Sequence, residues 1–151
     1  MQTRLCAPDD PALAPLIARH RAHAAEDYPA ESQHNMDGTT LAAQGVRLFV
    51  SWLDGAAIAM GGWKPFGATS AELKSMHVLP EARGQGAGRA IVDAILGDAR
   101  AAGRQEIFLE TGSLSPHAAA RRLYERSGFA YCPPFGDYTD DPNSVFMHRA
   151  L

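Results

Sequence analysis

"HVLPEARGQGAGRAIVDAIL", His77 to Leu96, sets Gly84, Gly86 and Gly88 at alternate positions directly before an apolar run with helical spacing. Glycine in a helix is less favourable than alanine by roughly 1 kcal/mol, so glycines at a helix start need a reason. A residue without Cβ either makes a tight turn or lets another group approach the main chain closely. Just upstream, "AELKSMHV" (71–78) alternates in part like a strand and stops at Leu79-Pro80. The turn therefore joins a strand to a helix whose first N–H groups and positive dipole end are suited to phosphate oxygens.

Two common phosphate-binding patterns do not fit. A P-loop needs Lys and then Ser or Thr after its last glycine, and Arg89-Ala90 stands there. A dinucleotide fingerprint needs a further glycine where Arg89 or Ile91 stands. What remains is Arg83-x-x-Gly86-x-Gly88 between a strand and a helix.

A chain of 151 residues predicts a single domain, 1–151. Its hydrophobic fraction of 46% and charged fraction of 21% are those of a globular protein. The net charge of −3 argues against a nucleic-acid partner, which calls for a basic excess. Cys6 and Cys132 are far apart, without a CxxC or a histidine at metal-ligand spacing, and read as reduced thiols with no metal site. "MQTRLCAPDD" has no apolar signal core, and no apolar run approaches the roughly 20 residues that span a membrane. The expectation is a cytoplasmic protein without a membrane partner.

Outward from the glycines, the elements follow in order. Met1–Ala7 reads as a strand, and Asp9 or Asp10 caps a helix with Pro11 in its first turn. A polar loop, "PAESQHNMDGTT", leads to a short helix around Leu41. "VRLFVSWLDGAAIAMGGWK" reads as two strands joined at Asp54-Gly55, with a second turn at Pro65–Ala68. Ala90–Ala102 is a predicted helix stopped by Gly103, Glu106–Thr111 a strand, and "SPHAAARRLYERSGF" a helix ending at Gly128. Two strands close the chain, the last being "SVFMHRAL". Antiparallel hairpins followed by a β-α-β crossover give an α+β fold, a mixed, mostly antiparallel central sheet flanked by helices.

The quoted stretch resembles the acetyl-coenzyme A signature of the GNAT superfamily of N-acetyltransferases, Q/R-x-x-G-x-G/A after a strand ending in V-x-P. Arg83, Gly86 and Gly88 fill the pattern. "AAARRLYERSGFAY" resembles the second signature, A-x-x-L-Y-x-x-x-G-F, with Ala120, Leu123, Tyr124, Gly128 and Phe129 in register. The two cover 72–131, and the element order matches the family fold along nearly the whole chain. One position departs: where many members carry Asn, seven residues before the tyrosine, this chain has His117.

The resemblance implies direct acetyl transfer from acetyl-CoA, as co-substrate and without a metal, to a primary amine of a small molecule. It implies that Arg83, Gly84, Gln85, Gly86, Ala87, Gly88 and Arg89 hold the pyrophosphate, and that Met76, His77 and Val78 pair with the pantetheine arm as an added strand would. Glu72, six residues before Val78, is the first choice for the base that deprotonates the amine, sharing a strand face with Lys74 and Met76; His77 and Glu110 stand in reserve. Tyr124 is the expected acid toward the departing thiolate. A non-catalytic acyl-CoA-binding module and a protein N-acetyltransferase are the alternatives, and homodimerisation is a family habit.

The acceptor is expected against the loop "ESQHNMDG", through Glu31 and His34, and against the tail, through Asp137 with Phe135 and Tyr138 beside it. Carboxylates Glu31, Asp37 and Asp137 point to a cationic amine. His20, His23 and His148 read as surface or helix-face residues, and Trp52 and Trp63 as core or interface aromatics.

Overall fold

A computed structural model of the protein describes residues 1–27 and 37–151. Its strands are β1 (Gln2–Cys6), β2 (Arg47–Leu53), β3 (Ala56–Phe66), β4 (Ser70–Val78), β5 (Glu106–Gly112), β6 (Ala130–Cys132) and β7 (Ser144–Ala150). They form one sheet in the order β1-β2-β3-β4-β5-β7-β6. Every neighbouring pair is antiparallel except β4 and β5, which the crossover makes parallel. The helices are α1 (Ala14–Asp27), α2 (Gly38–Ala43), α3 (Ala87–Ala101) and α4 (Ala118–Arg126). The α+β expectation is met.

Local chemistry sets several of these bounds. Asp10 accepts a hydrogen bond from the Ala12 N–H and starts a short 3-10 turn that leads into α1. Asp54 and Gly55 both have positive φ, 51° and 80°, which a two-residue hairpin turn of matching twist requires. Pro65 was expected in the next turn but lies within β3, paired with Ala71. It is tolerated because β2 ends its pairing at Trp63, so one side of β3 has no ladder for a missing N–H to break. The helix expected from Ala90 starts at Ala87, one residue after a positive-φ Gly86.

Two apolar layers cover the sheet. On one face Ile91, Val92, Ile95, Leu96 and Ala99 of α3 pack with Leu73, Ile107, Leu109, Met147 and Tyr124. On the other, Leu13, Leu16 and Ile17 cover Leu48, Val50 and Met60. Each such aliphatic side chain contributes roughly 1.5–3 kcal/mol on burial. Asp98 fixes the azimuth of α3, accepting from Trp63 Nε1 at 2.8 Å and from Arg47 Nε at 2.6 Å. Trp63 is a core residue, whereas Trp52 is half-buried beneath the Arg4 guanidinium, 4.7 Å from the ring centroid. Cys6 and Cys132 are free thiols.

Candidate active site

Two irregularities in β4 build the site. First, β4 pairs with β5 only over Ser70, Ala71 and Glu72, after which the two strands part. Second, β3 and β4 slip register between Met60 and Gly62, where Ser75 takes a φ of 60°. This bulge places one extra residue in β4. In a regular strand Glu72, Lys74 and Met76 would share a face, as the sequence led us to expect. The extra residue turns Met76 to the α3 side and leaves Glu72 and Lys74 on the other. It also aims His77 at α1.

The first cleft, of about 310 Å³, lies along the second half of β4. Its walls include Met76, His77 and Val78, the turn residues Arg83, Gly84, Gly86, Ala87, Gly88 and Arg89, and His117 with Leu123 of α4. Gln85 is exposed and does not line it. The glycines divide their labour. Gly84 and Gly86 have φ of 81° and 82°, a conformation that costs a side chain about 1–2 kcal/mol. Gly88 is instead a packing residue, since a Cβ there would stand 3.0 Å from Leu123 Cδ2. Gly86→Ala is expected to lower stability by about 1–2 kcal/mol, measured as a lower urea midpoint at unchanged m.

Gly86 caps α3 without a side-chain hydrogen bond. The first-turn N–H groups therefore lack a side-chain cap and can serve an anion. Arg83, Arg89 and Arg126 surround them. Deeper in the cleft, His20 and His23 of α1 face His77, with ring centroids 5.2 and 6.0 Å away, and His23 faces His117 at 5.3 Å. His20 and His23 thus belong to the cleft wall rather than to an open surface; their i, i+3 spacing on α1 was the available signal. Burial above all, and then the neighbouring histidines, lower His20 to about 3; burial, then His23 and the Arg19 and Arg83 guanidiniums, lower His77 to about 4. Both rings are neutral at pH 7. His20 Nδ1 and His77 Nε2 are buried without a hydrogen-bond partner among the described residues. A bound group with amide donors and acceptors would satisfy them.

The second cleft, of about 470 Å³, opens on the opposite side of the bulge. Its walls are Lys64, Phe66, Glu72 and Lys74 from the sheet and Phe135 to Thr139 with Asp141 from the segment before β7. Tyr138 donates to Glu72 Oε2 at 2.7 Å and accepts from Lys74 Nζ at 2.8 Å. Lys74 Nζ also stands 3.2 Å from Glu72 Oε2, and Lys64 Nζ 3.9 Å from Oε1. Phe66, Phe108, Phe135, Tyr138 and Phe146 pack edge to face or tilted around this floor.

Glu110 sits on β5 past the point where β4 leaves it. Burial raises its carboxyl to about 7; a hydrogen bond from Ser144 Oγ and the charge of Lys74 oppose the rise, while Asp141 and Glu72 add to it. Its charge is felt from the other direction by Tyr124, whose phenol is pushed well above the ordinary tyrosine range, chiefly by burial. Tyr124 packs against Phe129 and is 3% exposed. Glu110 is thus near enough for its charge to act on Tyr124 and for that of Lys74 to act on it, while neither Glu110 nor Tyr124 is among the residues lining the two clefts.

Of the sequence-derived acceptor residues, Asp137 lines the second cleft, and Glu31 and His34 lie outside the described residues. Asp37 has another task, capping α2 through the Thr40 N–H. Lys64 was missed; its place opposite Glu72 appears only with the β3–β4 register. His148 pairs with Glu106 across β5 and β7.

Comparison with known proteins bears on the family and the fold. The Acetyltransferase (GNAT) family model matches residues 16–129. The IAA acetyltransferase of Azospirillum brasilense is 38% identical over 141 residues, 93% of this chain and 91% of that protein. A provisionally assigned acyl-CoA N-acyltransferase from Klebsiella pneumoniae superposes with a TM-score of 0.81 at 28% identity, covering 99% of this chain and 97% of that one. N-acetylglutamate synthase from Neisseria gonorrhoeae, solved with coenzyme A and N-acetyl-glutamate, shares the fold at a TM-score of 0.75 and 17% identity, over 100% of this chain and 35% of that chain. With the family model spanning most of the sequence, the chain belongs to the GNAT family of acetyltransferases.

Proposed function

We propose that the protein transfers an acetyl group from acetyl-CoA to the primary amine of a small molecule. The observation that carries this reading is that two clefts flank one bulge in β4, Glu72 and Lys74 lining one and Met76, His77 and Val78 the other. A donor lying along Met76–Val78, with its diphosphate on the α3 N-terminus, brings its thioester to the bulge beside Lys74. An acceptor in the second cleft reaches the same point from the other side.

The amine nitrogen attacks the thioester carbonyl; an N–C bond forms, the C–S bond breaks, and the thiolate leaves with a proton. An alkylammonium of pKa near 10 must first lose its proton. Glu110 suits that step, because its carboxyl is raised to about 7 and it stands on β5 just past the last residue paired with β4. Glu72, the residue favoured by the sequence, is engaged by Tyr138 and Lys74; we assign it to positioning them. Tyr124 stays protonated at any physiological pH and is the proton donor to the thiolate. Main-chain N–H groups freed by the splay donate hydrogen bonds to the carbonyl oxygen, an effect often worth several kcal/mol.

The direct test is thiol release from acetyl-CoA across an amine panel, run beside a calorimetric titration with coenzyme A. Amine-dependent release is the expected result. Coenzyme A binding without release for any amine would leave a non-catalytic acyl-CoA-binding module.

A further inference from the structure

The second cleft is electrically lopsided. Two ammonium groups, Lys64 and Lys74, face a single carboxylate, Glu72, at 3.9 and 3.2 Å. One lysine would neutralise that carboxylate; the second leaves an excess positive charge on the β3–β4 floor. The segment before β7 is negative, with Asp137 and Asp141, and Glu110 on β5 lies within reach of the Lys74 and Asp141 charges. Between these ends runs an apolar wall of Phe66 and Phe135, ring centroids 5.5 Å apart, continued by Tyr138, 5.0 Å from Phe135.

A polyamine, one kind of the cationic amine that the carboxylates in the sequence favoured, would set one of its charges against Lys64 and Lys74. We infer that the acceptor is a zwitterion, an α-amino acid with a large apolar side chain, its carboxylate held by Lys64 and Lys74 and its amine turned toward Glu110. The span is suitable. Lys74 and Glu110 stand on neighbouring strands, about 4.8 Å apart where paired and starting to part here, a gap that one amino acid with a hydrogen bond at each end can bridge; Lys64, one strand further, reaches the carboxylate from β3. The side chain then lies on the Phe66–Phe135 wall. Lys74 is only 12% exposed and is held by Tyr138, so its ammonium is pre-aimed; Lys64, 26% exposed and donating to Gln44 Oε1 at 3.1 Å, stands at the rim above it. This assignment rests on the transferase reading for its chemistry but on the cleft alone for its ligand.

The test separates the two. Protein saturated with coenzyme A is titrated by calorimetry with L-phenylalanine, with phenethylamine, which lacks only the carboxylate, and with spermidine. L-phenylalanine is expected to bind at least tenfold more tightly than phenethylamine, since a site built for a polar group rejects analogues that lack it. Lys64→Gln is expected to erase that preference while moving phenethylamine affinity less than twofold, and Lys64→Arg to keep it. Equal or tighter binding of phenethylamine or spermidine, or no binding of L-phenylalanine at millimolar concentration, overturns the inference. Thiol release is measured on the same samples. Lys64-dependent binding without release removes the transferase reading and leaves the amino-acid site, whereas release with phenethylamine and no preference for L-phenylalanine does the reverse.

Discussion

Glu110→Gln is expected to lower kcat by about 10²–10³-fold and, at the same time, to make the protein more stable at pH 8. The first effect is the loss of a positioned base. The second follows from linkage. The folded carboxyl titrates at about 7 against 4.5 for an ordinary glutamate, so the folded state holds a proton that the unfolded state has released. Stability therefore falls as pH rises from about 4.5 to about 7 and stays lower above that, by up to about 3 kcal/mol. A glutamine keeps the acceptor for Ser144 and has no charge to bury. In the parent enzyme kcat should climb tenfold per pH unit below about 7 and level off above it; the variant should lack that limb. A variant with normal kcat, or with the limb intact, would move the base elsewhere, with Glu72 and His77 next in line.

Tyr124→Phe is expected to reduce kcat about 10²-fold with little change in the KM for acetyl-CoA or in unfolding midpoint. The ring is buried against Phe129 in the main core, and phenylalanine preserves that packing. What is lost is one proton donor, whose raised pKa keeps it protonated over the whole working range. A drop in stability with kcat unchanged would show that Tyr124 serves the core alone. Tyr124→Ala would not discriminate, because an emptied aromatic site costs roughly 3–5 kcal/mol and would obscure the catalytic effect.

Both residues illustrate how much of the site was legible in advance. Tyr124 stood out through its register with Gly128 and Phe129, and the helix and turn around it follow from local rules. Glu110 was visible only as an acid at the end of a strand. Nothing in "EIFLET" says that β4 will diverge from β5 before reaching it, or that Ser144 and Asp141 will come from about thirty residues further on. The expectation that Glu72, Lys74 and Met76 share a face failed for a related reason. Strict alternation assumes a regular strand, and the extra residue at Ser75 breaks it.

The local code was enough for the element order, the hairpin at Asp54-Gly55, the glycine turn and the two signatures, because φ preference, capping and hydrophobic period act over a few residues. Charge complementarity in the second cleft required the folded chain. Lys64, Glu72, Glu110 and Asp141 stand on four separate segments, and their separations are set by strand register, a bulge and a splay. Electrostatic energy depends on those separations and on the water excluded between the groups, and neither quantity is written in any short stretch of the sequence.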